Sequence, residues 1–245
     1  MHISQTFTTF APIIHCYRIM AKTEISTIGE FGLIKHLTKD LPTCQPSTQK
    51  SVGDDAAVMN FGAQRTLVTT DLLLEGIHFN LEYAPLKHLG YKAAVVNFSD
   101  IYAMNATPTQ ITVSLGISKR FSVEDLEELY AGIRLACEKY NVDLVGGDTS
   151  ASMTGLTISI TCLGTAYDSD IVYRNGAKVN DLICVTGNLG TAYMGLQLLE
   201  RERIVMQANE NATPAFDGRE YLLERQLKPE ARRDIIEQLH KAGIK

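Results

Sequence analysis

Two short apolar runs with acidic ends constrain this chain more than any other feature. Ser51-Val-Gly-Asp54-Asp55-Ala-Ala-Val58 sets adjacent carboxylates behind a glycine and ahead of the first run. Leu67-Val-Thr69-Thr70-Asp71 closes the second run with two hydroxyls and a third carboxylate. Both runs are β-like, so the segment reads as strand–turn–strand with its acids at strand ends. Carboxylates placed there are costly unless a positive charge lies between them. Hard Mg²⁺ takes oxygen ligands and suits such a site, which makes Asp54, Asp55 and Asp71 candidate metal ligands. Because neighbouring strand residues face opposite ways, only one of Asp54 and Asp55 is expected to bind directly. The competing reading is a plain Gly53-Asp54 turn.

The flanking sequence supplies the frame. Thr27-Ile-Gly-Glu30 has the form of a capping box, with Phe31, Ile34 and Leu37 at helical spacing. Pro85 opens a helix expected over Leu86–Met104, whose apolar stripe is interrupted by Asn97 and Asp100, three residues apart on one face. Polar groups in such a stripe need partners, either a metal or the backbone. Thr109–Ile117 and Leu156–Gly164 alternate as strands, and Ser122-Val-Glu-Asp125 opens a helix that carries Leu126, Leu129, Ile133 and Cys137. Val142–Val145 is expected as a short strand running into a Gly146-Gly147-Asp148-Thr149-Ser150 loop, where glycines let the backbone approach a ligand. A second unit is expected from Tyr167: a turn with Arg174 and Lys178, a strand over Asp181–Thr186, and a helix over Ala192–Leu199. A last helix is expected over Pro229–Lys241. Gly187-Asn-Leu-Gly190 lacks the Lys-hydroxyl ending of a Walker loop and reads as a turn.

Composition narrows the function classes. The net charge of -5 across 245 residues, with no basic tail, argues against nucleic acid as a partner. No apolar run reaches the roughly 18 residues of a membrane helix, so no membrane partner is expected. The five cysteines include no CxxC pair, which suggests neither zinc nor a disulfide framework and fits a cytoplasmic protein. Residues 1–23 read as an N-terminal extension without a signal peptide, with Met20 as an alternative start.

Taken in order, Gly29-Glu-Phe-Gly32, Gly53-Asp-Asp-Ala56, Thr70-Asp-Leu-Leu-Leu-Glu-Gly-Ile-His-Phe79, Lys92-Ala-Ala-Val-Val-Asn-Phe-Ser-Asp-Ile101, Gly146-Gly-Asp-Thr149 and Arg174-Asn-Gly-Ala-Lys178 resemble bacterial thiamine-monophosphate kinases. That family sits in the aminoimidazole-ribonucleotide-synthetase-like superfamily. The resemblance implies an α+β fold: an N-terminal mixed sheet flanked by helices over 24–166 that pairs with a second subunit, followed by an α/β domain over 167–245. It implies ATP- and Mg²⁺-dependent phosphorylation of thiamine monophosphate to thiamine diphosphate by a homodimer. By the same carry-over, Asp54, Asp55, Thr69, Thr70, Asp71, Asp100 and Asp148 would lie around magnesium. Asp71 and Asp148 would be central to catalysis, Gly147, Asp148 and Arg174 would contact ATP, and His78 would contact the substrate. The family's Asp-x-Ser-Asp-Gly motif does not occur here, and relatives run roughly another hundred residues, about one small domain. The second domain is therefore expected to be incomplete, as in a C-terminally truncated member. Other readings are another ATP-dependent synthetase of the superfamily, or a non-catalytic dimerising fragment that binds nucleotide or metal.

Overall fold

The computed structural model describes Thr27, Gly32, Lys35 and residues 46–50, 53–209 and 212–244. The chain forms two compact units, Met1–Pro42 and Thr43–Lys245. In the first, Thr27, Gly32 and Lys35 are helical, while the expected extension over 1–23 and most of the capping-box helix lie outside the described residues.

The second unit is built on a six-stranded mixed sheet. Its strands are β1 (Thr48–Lys50), β2 (Ala57–Asn60), β3 (Arg65–Leu74), β4 (Thr107–Ile117), β5 (Asp143–Ala151) and β6 (Leu156–Ala166). The order across the sheet is β1-β2-β3-β6-β4-β5. All neighbours run antiparallel except β4 and β5, which are parallel. Alternation explains the central strand: Leu156, Ile158, Ile160 and Cys162 are buried on one face of β6, and the intervening residues are only partly covered. This α+β arrangement is the one the sequence implied.

Two helices cover that apolar face. Helix α1 (Leu86–Ala103) touches β3, β6 and β4, and α2 (Val123–Tyr140) packs beside it. Ser122 caps α2 as its sequence predicts, with the Ser122 hydroxyl accepting from Asp125 N–H and the Asp125 carboxylate accepting from Ser122 N–H. The helices touch backbone to backbone at paired glycines. A methyl at Gly90 would lie 1.9 Å from the Leu129 carbonyl oxygen, and one at Gly132 equally close to that of Lys87. Phe98, Ile101, Ile133 and Ile160 are fully buried between the layers, each contributing roughly 1.5–3 kcal/mol by leaving water.

Beyond Ala166 the chain differs from the sequence-based expectation. No helix or strand occurs between Ala166 and Thr191, and the apolar run Asp181–Thr186, expected as a strand, is irregular and exposed. A strand needs a hydrogen-bonded neighbour, and none is present here among the described residues. Helix α3 (Thr191–Ala208) runs well past its expected end at Leu199. The helix expected over Pro229–Lys241 starts later, as α5 (Arg233–Lys241), and α4 (Glu220–Leu227) was not foreseen. A tight polar cluster fixes this segment to the helical layer. Glu230 Oε2 accepts from Tyr91 Oη at 2.9 Å, Tyr140 Oη at 2.6 Å and Lys139 Nζ at 2.7 Å. These donors hold the Glu230 carboxyl below its usual range against the opposing cost of burial, and burial first and the Glu230 bond second push the Tyr140 phenol up to about 12.

Candidate active site

The site forms where α1 crosses the outer half of β3. Strand β2 pairs with β3 only from Arg65 to Val68, so beyond that point the outer edge of β3 has no strand partner among the described residues. Asn97 of α1 fills the gap. It is fully buried, its Oδ1 accepts the Asp71 N–H at 3.1 Å, and its Nδ2 donates to the Ala93 carbonyl at 3.0 Å. The polar interruption in the apolar stripe of α1 is thus explained by a satisfied backbone bond. One helical turn on, Asp100 Oδ2 accepts from Thr69 Oγ1 at 2.8 Å.

Strand alternation sorts the candidate ligands by face. Thr69 and Asp71 point toward α1, with Leu67 and Leu73, while Thr70 points to the other face. There the Thr70 hydroxyl donates to the Ile160 carbonyl at 3.1 Å and lies 3.1 Å from Thr161 Oγ1. Thr70 was expected beside Thr69 in one ligand set, and the two-residue period separates them.

The adjacent acids behind Gly53 meet Arg174. The Asp55 carboxylate is paired with the Arg174 guanidinium, and Asp54 Oδ1 lies 3.6 Å from Arg174 Nε. The Asp54 side chain is only 1% exposed. Its Oδ1 also accepts the Asp55 N–H at 3.1 Å, while its buried Oδ2 has no hydrogen-bond partner among the described residues. Desolvation raises the Asp100 carboxyl to about 6, Thr69 and Arg174 oppose the rise, and the Asp71 and Asp55 charges add to it. Burial also raises Asp71. Asp54, Asp55, Thr69, Asp71, Asp100 and Arg174 therefore share one electrostatic neighbourhood.

Gly147 and Asp148 lie apart from that cluster. The stretch expected as a Gly-Gly-Asp loop is part of edge strand β5, every residue of which is exposed. A single register row runs Leu72, Ser159, Ser114, Asp148, which puts three strand spacings, about 14 Å, between β3 and Asp148. Gly147 is there for space: a methyl on it would meet the Val113 carbonyl oxygen at 1.9 Å. Among the described residues, no three His, Cys, Asp or Glu side chains converge as a ready-made metal cage.

His78 is fixed by the tight turn after β3. Its Nδ1 accepts the Leu74 N–H at 3.0 Å, so the neutral ring carries its proton on Nε2. The ring borders a cavity of ≈ 340 Å³ that also takes in Phe79, Tyr83, Lys92 and Glu200. Lys92 was not singled out in the sequence as a site residue, although a lysine on the apolar face of α1 was a usable signal. Burial lowers its pKa, and its Nζ donates to the Gln226 carbonyl at 3.1 Å.

Residues 53–166 match the family described as AIR synthase related protein, N-terminal domain. The chain is 35% identical over 217 residues to the thiamine-monophosphate kinase of Aquifex aeolicus, a match covering 89% of this chain and 65% of that protein. It is 33% identical over 207 residues to the thiamine-monophosphate kinase of Bacillus subtilis, covering 84% and 61%. A solved structure, AaThiL complexed with AMPPCP and TMP, superposes with a TM-score of 0.75 at 32% identity, over 91% of this chain and 66% of that one. The kinase resemblance seen in the motifs thus holds over most of the chain, which spans just under two thirds of these relatives' length. Among the described residues, no helix is long and apolar enough to cross a membrane.

Proposed function

We propose that the chain belongs to an enzyme that transfers the γ-phosphoryl group of ATP to thiamine monophosphate, yielding thiamine diphosphate and ADP. The observation that carries this reading is the shared electrostatic neighbourhood of Asp54, Asp55, Thr69, Asp71, Asp100 and Arg174, in a chain similar to a kinase solved with an ATP analogue and TMP. The donor set suits Mg²⁺: all candidate ligands are hard oxygens, and Asp54 Oδ2 is a buried carboxylate oxygen awaiting a partner. Asp54 or Asp55, with Thr69, Asp71 and Asp100, would hold the ion. When bound, Mg²⁺ would neutralise the repulsion between donor and acceptor phosphates.

The side chains divide the remaining work. Arg174 offers a planar fork to a nucleotide phosphate, a contact lysine does not reproduce. His78, held through Nδ1, presents its Nε2–H to the anionic acceptor substrate. The acceptor oxygen is already charged near neutral pH, so the site needs no strong general base. Asn97 acts as a positioning residue, holding the Asp71 backbone in place. Gly147 and Asp148 on β5 form a second flank for the nucleotide. The division between N- and C-terminal domains falls at residues 166 and 167, and a second subunit packs on the open sheet face that carries Thr70 and Leu72. The enzyme works in the cytoplasm.

The test is product formation. Purified protein incubated with Mg-ATP and thiamine monophosphate should yield thiamine diphosphate, detected by chromatography, and Asp71→Asn should reduce the rate at least 100-fold, the scale of losing one charge-stabilising group. Equal rates in parent and variant would reject the assignment of the site.

A further inference from the structure

A cation paired with the acidic cluster is Arg174, and its attachment is lopsided. Upstream, the chain is pinned: Ile171 is buried, Val172 N–H donates to the Met104 carbonyl at 3.1 Å, and Asn105 Nδ2 donates to the Asp170 carbonyl at 2.8 Å. Downstream, residues 174–190 are all exposed and contain no helix or strand. Arg174 thus sits at the last tethered point before a stretch with little packing to hold it. Its own side chain is 46% exposed. It pairs with Asp55 and with one oxygen of Asp54, and leaves Asp54 Oδ2 without a partner among the described residues. A single delocalised charge faces two carboxylates here, with Asp71 and Asp100 close enough for their fields to reach the same cluster. A guanidinium held this way is a poor substitute for a divalent ion, but it is enough to hinder one from entering.

We propose that Arg174 is an exchangeable counter-cation: it occupies the Asp54 and Asp55 carboxylates against divalent metal until a polyphosphate draws it away. The inference rests on the kinase reading for the identity of that polyphosphate. Arg174 then has two alternative sets of acceptors, the carboxylates of its own chain and the phosphate oxygens of a nucleotide. Metal and nucleotide favour the same released state, so each tightens the binding of the other by the same factor. The two carboxylates are spared bare repulsion when no metal is bound, and they are kept from binding divalent metal without nucleotide.

The experiment is Mn²⁺ binding to the whole chain without nucleotide, measured by titration calorimetry, with circular dichroism to verify folding. Removing the competing charge in Arg174→Gln should tighten Mn²⁺ binding about tenfold, the scale of breaking two ion pairs, one of them to a buried carboxylate. Arg174→Lys keeps the charge but cannot span both acids, and should tighten binding roughly two- to threefold. It carries the test by itself if the glutamine variant does not fold. Unchanged or weaker Mn²⁺ binding in the folded variants would overturn the proposal. If Asp71→Asn still abolished binding in that case, the metal site itself would stand. Absence of Mn²⁺ binding in the parent and in both variants would overturn the counter-cation and the metal site together.

Discussion

Strand β6 and the run Asp181–Thr186 carry similar apolar content and meet opposite fates. In β6, Ile158 and Ile160 are fully buried between β3 and β4, with α1 across their face. In the later run, Leu182 is 89% and Ile183 96% exposed. The residue types are equally suited to a strand, so the difference lies in what surrounds them. The first run has a hydrogen-bonding partner on each side and a helix over it, whereas the second has neither among the described residues. Periodicity states what a segment can become, and the partner decides whether it does.

That contrast makes graded predictions. The largest effect belongs to the packed strand: Ile160→Ala should destabilise the protein by about 4 kcal/mol in urea unfolding, the usual cost of a large core deletion with its cavity. A cost under about 1 kcal/mol would mean that the sheet core is as loose as the later segment. An intermediate effect comes from a charge inside the packed half. Asp100 has its carboxyl raised to about 6, chiefly by desolvation, so the folded state holds its proton more tightly than the unfolded chain does. Its ionisation therefore costs stability as pH rises from about 4 through 6, and no cost remains below that window. Asp100→Asn in metal-free buffer should raise stability at pH 7 by about 1 kcal/mol, a figure reduced for the solvent screening of a half-buried group, and leave it unchanged at pH 3.5. A stabilisation of the same size at both pH values would remove ionisation as its cause. The smallest effect belongs to the exposed run, where Ile183→Ser should alter stability by less than about 0.5 kcal/mol. A loss of several times that would show that Ile183 has a partner in solution.

What the sequence revealed follows the same division. Local signals sufficed where one residue type does one job. Ser122 and Asp125 cap α2, Pro85 precedes α1, and the alternation in Leu156–Ala166 gives β6. Signals failed where the outcome depends on distant neighbours. The Gly146-Gly147 pair suggested a loop, but the Val113 backbone lies close enough to take those residues into an edge strand. Helix α4 has Arg219 at its start with no side-chain cap, so nothing local announced it. In the site, the separation of Thr69 from Thr70 was readable from the two-residue period of a strand. The meeting of Arg174 with Asp54 and Asp55, 119 residues before it in the case of Asp55, was not readable from spacing. Only the topology brings them together, and the family resemblance implied roles for these residues without showing that contact.

On the proposed function, the acids around Arg174 form a divalent-metal site serving a nucleotide. Calorimetric titration of the protein with AMPPCP, with and without Mg²⁺, tests it most directly. Saturable binding is expected that requires Mg²⁺ and weakens about 100-fold in Asp71→Asn, consistent with loss of one charged partner in a desolvated site. Binding of equal strength without Mg²⁺, and indifferent to Asp71, would contradict it.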